Sequence, residues 1–412
     1  MRVNIHPGLA HGYVAAPPSK SMAHRLLICA ALSQGTSTVR GIAASEDVLA
    51  TIDCLRALGA TVEYDGETAT VCGVDMKNAA PSTPLYCRES GSTLRFLIPL
   101  AWLSGHKACL GGAPYLLQRP MGVFETLAKE KGLTFSKTEQ WISVKGPLCA
   151  GEYVVPGNVS SQFISGLLFA LPLLDGDSVI RILPPVESRS YLNLTVAALR
   201  TFGVDVIWTD DYTIHTRGNQ RYCPRDTFVE GDYSNAAFLD ALTLLGGNVT
   251  VTGLCEDSLQ GDRVYRDFFA RLRCERATLS IGDCPDLAPV LFAMAATHHG
   301  GVFLGTKRLR MKESDRASAM AEELAKLGVC VRVDEDRVEV DATPIDPPTV
   351  SICGHNDHRI VMAMATLLTR VGGKIEGADA VKKSFPDFFD RLRSLGLQIE
   401  EEYQEDRKEN PL

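Results

Sequence analysis

One pattern of apolar and polar positions recurs along the whole chain. It reads as an amphipathic helix closing on Leu-x-x-apolar-Gly, then a strand that alternates with period two, a polar turn, and a second alternating strand. Four copies are complete: "LRALGATVEYDGETATVCG", "LAKEKGLTFSKTEQWISVKG", "LRTFGVDVIWTDDYTIHTRG" and "LAKLGVCVRVDEDRVEV". A fifth, "FFARLRCERATLSIG", has Cys274 at the glycine's place, and a sixth, "LRSLGLQIEEEY", runs into the C-terminus. The glycines are Gly59, Gly132, Gly203, Gly328 and Gly396, and most neighbours lie about 70 residues apart. Each fits the position just past a helix, where a positive φ is easy without a Cβ. Six α/β units of this size predict a three-plus-three arrangement, with a boundary around Thr227 to Asp232.

Between the hairpins lie helices that are apolar almost all round: "SSQFISGLLFALPLL", "SNAAFLDALTLLG", "DLAPVLFAMAATHHG" and "DHRIVMAMATLLTRVGG". Such helices are buried ones. Each begins with Ser, Asn or Asp, which predicts side-chain caps at their N-termini. Positive helix ends would then gather polar residues and anions.

Composition narrows the class. The chain has 412 residues, 45% hydrophobic and 22% charged, with a formal net charge of -8. That is ordinary globular composition, long enough for two cores. An acidic chain with no basic tail argues against a nucleic-acid binder. Any anion site must be a local basic patch in an acidic body. The 12 cysteines are scattered singly, which fits reduced thiols in the cytoplasm. The N-terminus has no apolar signal core, and the longest apolar run is too short to span a bilayer, so no membrane partner is expected.

Basic and hydroxyl residues do cluster at predicted helix starts. In "PPSKSMAHR", Lys20, Ser21 and Arg25 open a helix, with Ser21 and Arg25 on one face. An anion there would meet backbone N–H groups, an ammonium, a hydroxyl and a guanidinium. The sequence lacks the Gly-rich Walker pattern, so this is not a P-loop. "ESGSTLR" (Glu89 to Arg95) and "SSQ" (Ser160 to Gln162) repeat the logic of small donors before an apolar helix. "QRPMG" carries Arg119 in a loop. In "RLRMKESDR", Glu313 and Asp315 sit among Arg308, Arg310, Lys312 and Arg316, with Lys312 and Arg316 predicted on one helix face. Carboxylates among cations suit proton exchange. "GHNDHR" places His355, His358 and Arg359 at another helix start. Two histidines three apart could ligate a metal, but no third ligand is evident, so no metal is expected. Lys382 and Lys383 precede the aromatic segment "SFPDFF".

In order along essentially the whole chain, "PPSKSMAHR", "ESGSTLR", "QRPMG", "VSSQF", "ESRSYL", "PDLAPVLFAMA", "RMKESDR", "NDHR" and "KKSFPDFF" resemble the 5-enolpyruvylshikimate-3-phosphate synthase family. The resemblance implies a two-domain inside-out α/β fold of six βαβαββ repeats, three per domain. It implies an N-terminal domain over 17–229, a C-terminal domain made of 1–16 plus 230–412, and an active site in the interdomain cleft. The implied reaction moves the enolpyruvyl group of phosphoenolpyruvate onto the 5-hydroxyl of shikimate-3-phosphate and releases phosphate. Lys20, Ser21, Arg25, Ser160, Ser161, Gln162, Ser188, Tyr191, Asp286 and Lys312 would hold shikimate-3-phosphate. Lys20, Gly91, Arg119, Gln162, Arg316, Arg359 and Lys383 would hold phosphoenolpyruvate. Asp286 and Glu313 would exchange protons, assisted by Lys20 and Lys383. No cofactor is implied, and a monomer is expected. Glu89 and Arg308 depart from the family's wording, since Asn is the more familiar residue at both places. The alternative is the sister family that transfers enolpyruvyl to UDP-N-acetylglucosamine. It often carries a Cys before the loop arginine, where "GGAPYLLQR" has none, and an Asn after the first lysine, where this chain has Ser21.

Overall fold

The computed structural model describes residues 1–402. They form two compact units, residues 17–233 with 253–261, and residues 1–16 with 234–252 and 262 onward. Residues 230–233 and 253–261 therefore lie with the first of these, where the sequence suggested the second. Local hydrogen bonds explain why. Asp232 N–H donates to the Pro17 carbonyl at 2.7 Å, Ser258 Oγ to Glu230 at 3.0 Å, and Gln260 Nε2 to the Gly231 carbonyl at 2.8 Å.

The unit built on residues 17–233 has three four-stranded sheets with one shared plan. A short strand pairs in parallel with a second, and an antiparallel hairpin completes the sheet. In the sheet of Glu152–Pro156, Ser178–Leu183, Thr213–Thr216 and Val206–Trp208, only the first pair is parallel. The sheet containing Lys107–Gly111 follows the same plan. So does that of Thr36–Arg40, whose parallel neighbour, Asp226–Phe228, comes from the far end of the unit's sequence.

The second unit repeats the plan with two repairs. Ala277–Ser280, Gly301–Leu304, Arg337–Val340 and Val331–Val333 make an ordinary copy. In the sixth repeat Arg2–Ile5 takes the place of a hairpin strand, antiparallel to both Gly373–Glu376 and Ile399–Glu402. The segment read as the fifth copy makes no hairpin: its strand Ala277–Ser280 starts the next sheet. Accordingly, His11–Ala15 and Asn248–Thr252 remain a two-stranded parallel pair.

The helices lie inside and the sheets outside. Gly91–Ala101 and Ser161–Ala170 are buried along nearly their whole length, whereas the strands alternate buried and exposed. In the other unit Ala288–Thr297 and His358–Val371 play the same part. Fully burying one Leu, Ile or Phe stabilises by about 1.5–3 kcal/mol, so these helices anchor each core. The repeat glycines all adopt positive φ, from 67° at Gly132 to 102° at Gly59.

Candidate active site

In the unit of residues 17–233, Ser19 caps the helix Lys20–Leu32 by accepting from Met22 N–H at 3.3 Å. The cap fixes where the helix starts and so where Lys20 and Ser21 project. Lys20 Nζ donates to Asp47 at 2.8 Å, and both side chains are largely buried. One turn on, Arg25 is 2% exposed. Its Nε donates to Thr195 Oγ1 at 2.9 Å, and its Nη1 and Nη2 donate to the Ser21 and Tyr191 carbonyls at 2.6 and 3.0 Å. The guanidinium lies over the Phe96 ring, 5.2 Å from its centroid. All three partners are neutral oxygens. Burial pulls the Arg25 pKa down to about 10, offset in part by Tyr191 and Cys29. A buried cation held only by neutral dipoles is strongly disposed to take an anion. His24 adds no positive charge, because burial, then Lys20 and Arg25, hold its pKa well below the ordinary value.

The other predicted residues of this unit fall at three helix starts, except Arg119, which follows the end of the short helix Pro114–Gln118. Ser160 caps Ser161–Ala170 through Gln162 N–H. Ser90 caps Gly91–Ala101, so Gly91 lies in the first turn. A Cβ on Gly91 would come within 2.6 Å of Arg119 Nη1, so only glycine leaves that guanidinium in place. Ser188 is buried with φ 57° and opens Arg189–Thr201, the helix that supplies the Tyr191 carbonyl and Thr195 to Arg25. Gln162 is held by a residue that sequence reasoning passed over. Arg95 Nη1 donates to its Oε1 at 2.7 Å, and its Nε2 donates to Ser92 Oγ at 2.9 Å. Arg95 also donates to the Pro120 carbonyl, next to Arg119. Its position in "ESGSTLR", four residues into an apolar helix, was the available signal.

In the other unit one network joins five predicted residues. Arg316, 1% exposed, donates from Nε to Asp357 at 2.8 Å, from Nη1 to Asp286 at 2.8 Å and from Nη2 to Glu313 at 2.7 Å. Asp286 also accepts from Lys312 Nζ at 3.3 Å and Arg359 Nη2 at 2.9 Å. Burial works to raise the Asp286 pKa, but Arg359, Lys312 and Arg316 hold it well below the usual carboxylate range. Asp286 was expected to cap a helix; it makes no such cap, because the three cations take its oxygens. Lys312 is pushed down to about 8, chiefly by burial, with Arg316 and Arg308 adding to the effect and Asp286 and Glu313 opposing it. Lys312 does not share a helix face with Arg316. The helix begins at Arg316, and Lys312 ends the preceding turn Lys307–Met311.

Asp357 is fully buried; the sequence marks it as a helix cap but not as a site residue. It caps His358–Val371 through Arg359 N–H while accepting from Ser314 and Arg316. Lys383 Nζ donates to the neighbouring Asn356 carbonyl at 2.5 Å. His355 and His358 do not form a metal pair. His355 bonds Glu323 at 2.7 Å, and His358 is buried beside Asp357. Glu322, Glu323 and His355 have ligand-like spacing, but Lys326 Nζ already lies 2.9 and 2.7 Å from the two Glu323 oxygens.

Both units thus carry buried cations, and one adds three carboxylates sharing a guanidinium. The profile of the EPSP synthase family (3-phosphoshikimate 1-carboxyvinyltransferase) matches residues 6–392. The chain belongs to the EPSP synthase family. Among its relatives, the 3-phosphoshikimate 1-carboxyvinyltransferase of Clostridium kluyveri is 39% identical, with 97% of this chain and 98% of the relative covered. That of Clostridium beijerinckii is 37% identical over 96% and 97%. A solved EPSP synthase from Acinetobacter baumannii superposes with a TM-score of 0.79 at 25% identity, covering 97% of this chain and 99% of that one. The family's two-domain inside-out fold accounts for the repeated sheets and buried helices of both units. Among the described residues, no helix is long and apolar enough to cross a membrane.

Proposed function

We infer that this EPSP synthase family member transfers the enolpyruvyl group of phosphoenolpyruvate to the 5-hydroxyl of shikimate-3-phosphate. The products are 5-enolpyruvylshikimate-3-phosphate and phosphate, on the route to chorismate and the aromatic amino acids. The observation that carries this reading is family membership over nearly the full chain. The arrangement around Arg316 supports the chemistry.

In the addition step the 5-hydroxyl oxygen bonds to C2 of phosphoenolpyruvate, its proton leaves to a base, and C3 gains a proton. In the elimination step the C–O bond to phosphate breaks, and the methyl group returns a proton. Two carboxylates are wanted, able to hold and release protons beside fixed positive charge. Asp286 and Glu313 take those roles, with Arg316 bridging them. Lys20 and Lys383 meet the charge that develops on the leaving phosphate. Ser21, Arg25, Ser160, Ser161, Gln162, Ser188, Tyr191, Asp286 and Lys312 hold shikimate-3-phosphate. Gly91, Arg119, Arg316, Arg359 and Lys383 hold phosphoenolpyruvate, with Lys20 and Gln162 touching both substrates. Arg25 in particular supplies a desolvated fork for an anion. Both sets serve one reaction, carried out by a monomer in the cytoplasm without a cofactor.

The decisive experiment measures phosphate release from phosphoenolpyruvate with shikimate-3-phosphate or UDP-N-acetylglucosamine offered separately. Release with the first alone is expected; release only with the second would replace this reading with the sister reaction.

A further inference from the structure

We propose that Glu323, through His355, is a positioning residue that sets the turn carrying Asn356 and Asp357, and thereby the cations that handle phosphoenolpyruvate. This rests on the assignment of Arg316, Arg359 and Lys383 to phosphoenolpyruvate. Glu323 lies on the helix Arg316–Ala325, about two turns beyond Arg316. It is fully buried. A buried carboxylate is tolerated only when its oxygens are fully engaged, and this one accepts four hydrogen bonds. Two come from Lys326 Nζ. The others come from Cys353 N–H at 2.9 Å and the His355 ring at 2.7 Å. The last two hold the turn at His355 and, at Cys353, the end of the strand that leads into it.

That turn needs holding. His355 and Asn356 have φ of 49° and 50°, two successive side-chain-bearing residues in the left-handed region. Such geometry persists only where the surroundings impose it. What it delivers is specific. The Asn356 carbonyl receives Lys383 Nζ, and the Asp357 carboxylate receives both Arg316 Nε and Arg359 N–H. Each of the three residues thus donates a hydrogen bond to one of two adjacent residues, Lys383 and Arg316 from their cationic groups and Arg359 from its backbone N–H, and the residue before that pair is pinned to Glu323. The Glu323 bond also raises the His355 pKa, so the clamp is reinforced when the ring is charged.

The test is steady-state kinetics and substrate binding on Glu323→Gln, which keeps the shape and loses the charge. Displacing positioned groups by a fraction of an ångström to an ångström costs about ten- to a hundredfold. That loss is expected in kcat/KM for phosphoenolpyruvate, with the binary dissociation constant for shikimate-3-phosphate changed by less than about twofold. His355→Gly is the second variant. Glycine accepts the φ without strain but removes the ring, so a similar loss is expected although the backbone is relieved. Unchanged phosphoenolpyruvate kinetics in folded Glu323→Gln, or in His355→Gly should the first variant not fold, would overturn the proposal. So would an equal loss of shikimate-3-phosphate affinity. Lys383→Met separates the two levels. If it leaves phosphoenolpyruvate kinetics intact, the underlying assignment fails; if it lowers them while Glu323→Gln does not, only the positioning role fails.

Discussion

Arg25 and Arg316 are both almost wholly buried, 2% and 1% exposed, and they are satisfied in opposite ways. Arg25 gives its hydrogen bonds to a hydroxyl and two carbonyls. Arg316 gives its own to three carboxylates. The Arg25 pKa falls through burial. That of Arg316 rises, because Asp357, Glu313 and Asp286 outweigh burial. The difference teaches what each region is for. A cation without an internal counter-ion is a standing receptor for an anionic substrate. A cation inside a carboxylate cage serves first to hold those carboxylates charged and aimed, and it meets substrate as part of a set.

The largest effect should come from the caged side. Glu313→Gln preserves the side chain's shape and removes its ability to take a proton. Turnover should fall by about 10²–10⁴, the usual contribution of a general acid–base group, while both substrates still bind in equilibrium titrations. Turnover close to the parent's would leave Glu313 as a mere partner of Arg316, and the cage as a scaffold.

The next measurement compares stability. Arg316→Leu leaves the fully buried Asp357 without its guanidinium and should destabilise the fold by about 3–5 kcal/mol. Arg25→Leu leaves only neutral acceptors short of a donor, at about 1–3 kcal/mol. Denaturant unfolding reads both, and equal losses would erase the contrast. Arg25→Lys then probes function. It keeps the charge but loses the fork, and should weaken shikimate-3-phosphate by about ten- to a hundredfold. Phosphoenolpyruvate should be the less affected ligand.

These contrasts were unevenly legible in the sequence. "PPSKSMAHR" announces a helix start with cations because capping and charge are local properties. The repeat glycines are legible for the same reason, since a helix end that needs positive φ selects its residue directly. Partner choice is not local. Asp286 meets Arg359 across 73 residues of chain, and Arg316 meets Asp357 across 41. Nothing in "CPDLAP" distinguishes a helix-capping Asp from one taken by three cations. Asp357 looked like a cap and is one, but its other oxygen holds Arg316. Arg95 stands out as a charge inside an apolar helix, but nothing local says that it fixes the Gln162 amide, 67 residues away. Arg2–Ile5 completes a sheet whose other members begin some 350 residues later, a closure only the fold can supply.

Lys312 sharpens the comparison through pH. Its pKa, about 8, lies below the ordinary lysine value, so it is charged at neutral pH and loses its proton as pH rises through 8. A group of that pKa is about 90% protonated at pH 7 and about 10% at pH 9. Affinity for the anion it contacts should therefore fall by up to about tenfold across that interval. Lys312→Arg should abolish the inflection. Arg25, with its pKa of about 10, should add no inflection below pH 9.

The smallest predicted effects concern backbone strain, present in both regions. Ser188 opens the helix that supports Arg25, with φ 57°, and Asn356 precedes Asp357, with φ 50°. Glycine accepts either geometry, so each replacement by Gly relieves about 1 kcal/mol of left-handed strain. It gives back a similar amount through the freer unfolded chain. Unfolding midpoints should therefore move little in either variant. Function should separate them. Asn356 serves Lys383 through its backbone carbonyl, which glycine retains, so phosphoenolpyruvate kinetics in Asn356→Gly should stay within about threefold of the parent's. Ser188 is assigned to shikimate-3-phosphate by its side chain, which glycine lacks. Losing one neutral hydrogen bond, worth about 0.5–1.5 kcal/mol, should weaken that ligand by about two- to tenfold. If Asn356→Gly proved the more damaging change, the Asn356 side chain would have to act in its own right, and the division between a side-chain-lined cradle and a backbone-supported cage would fail at that point.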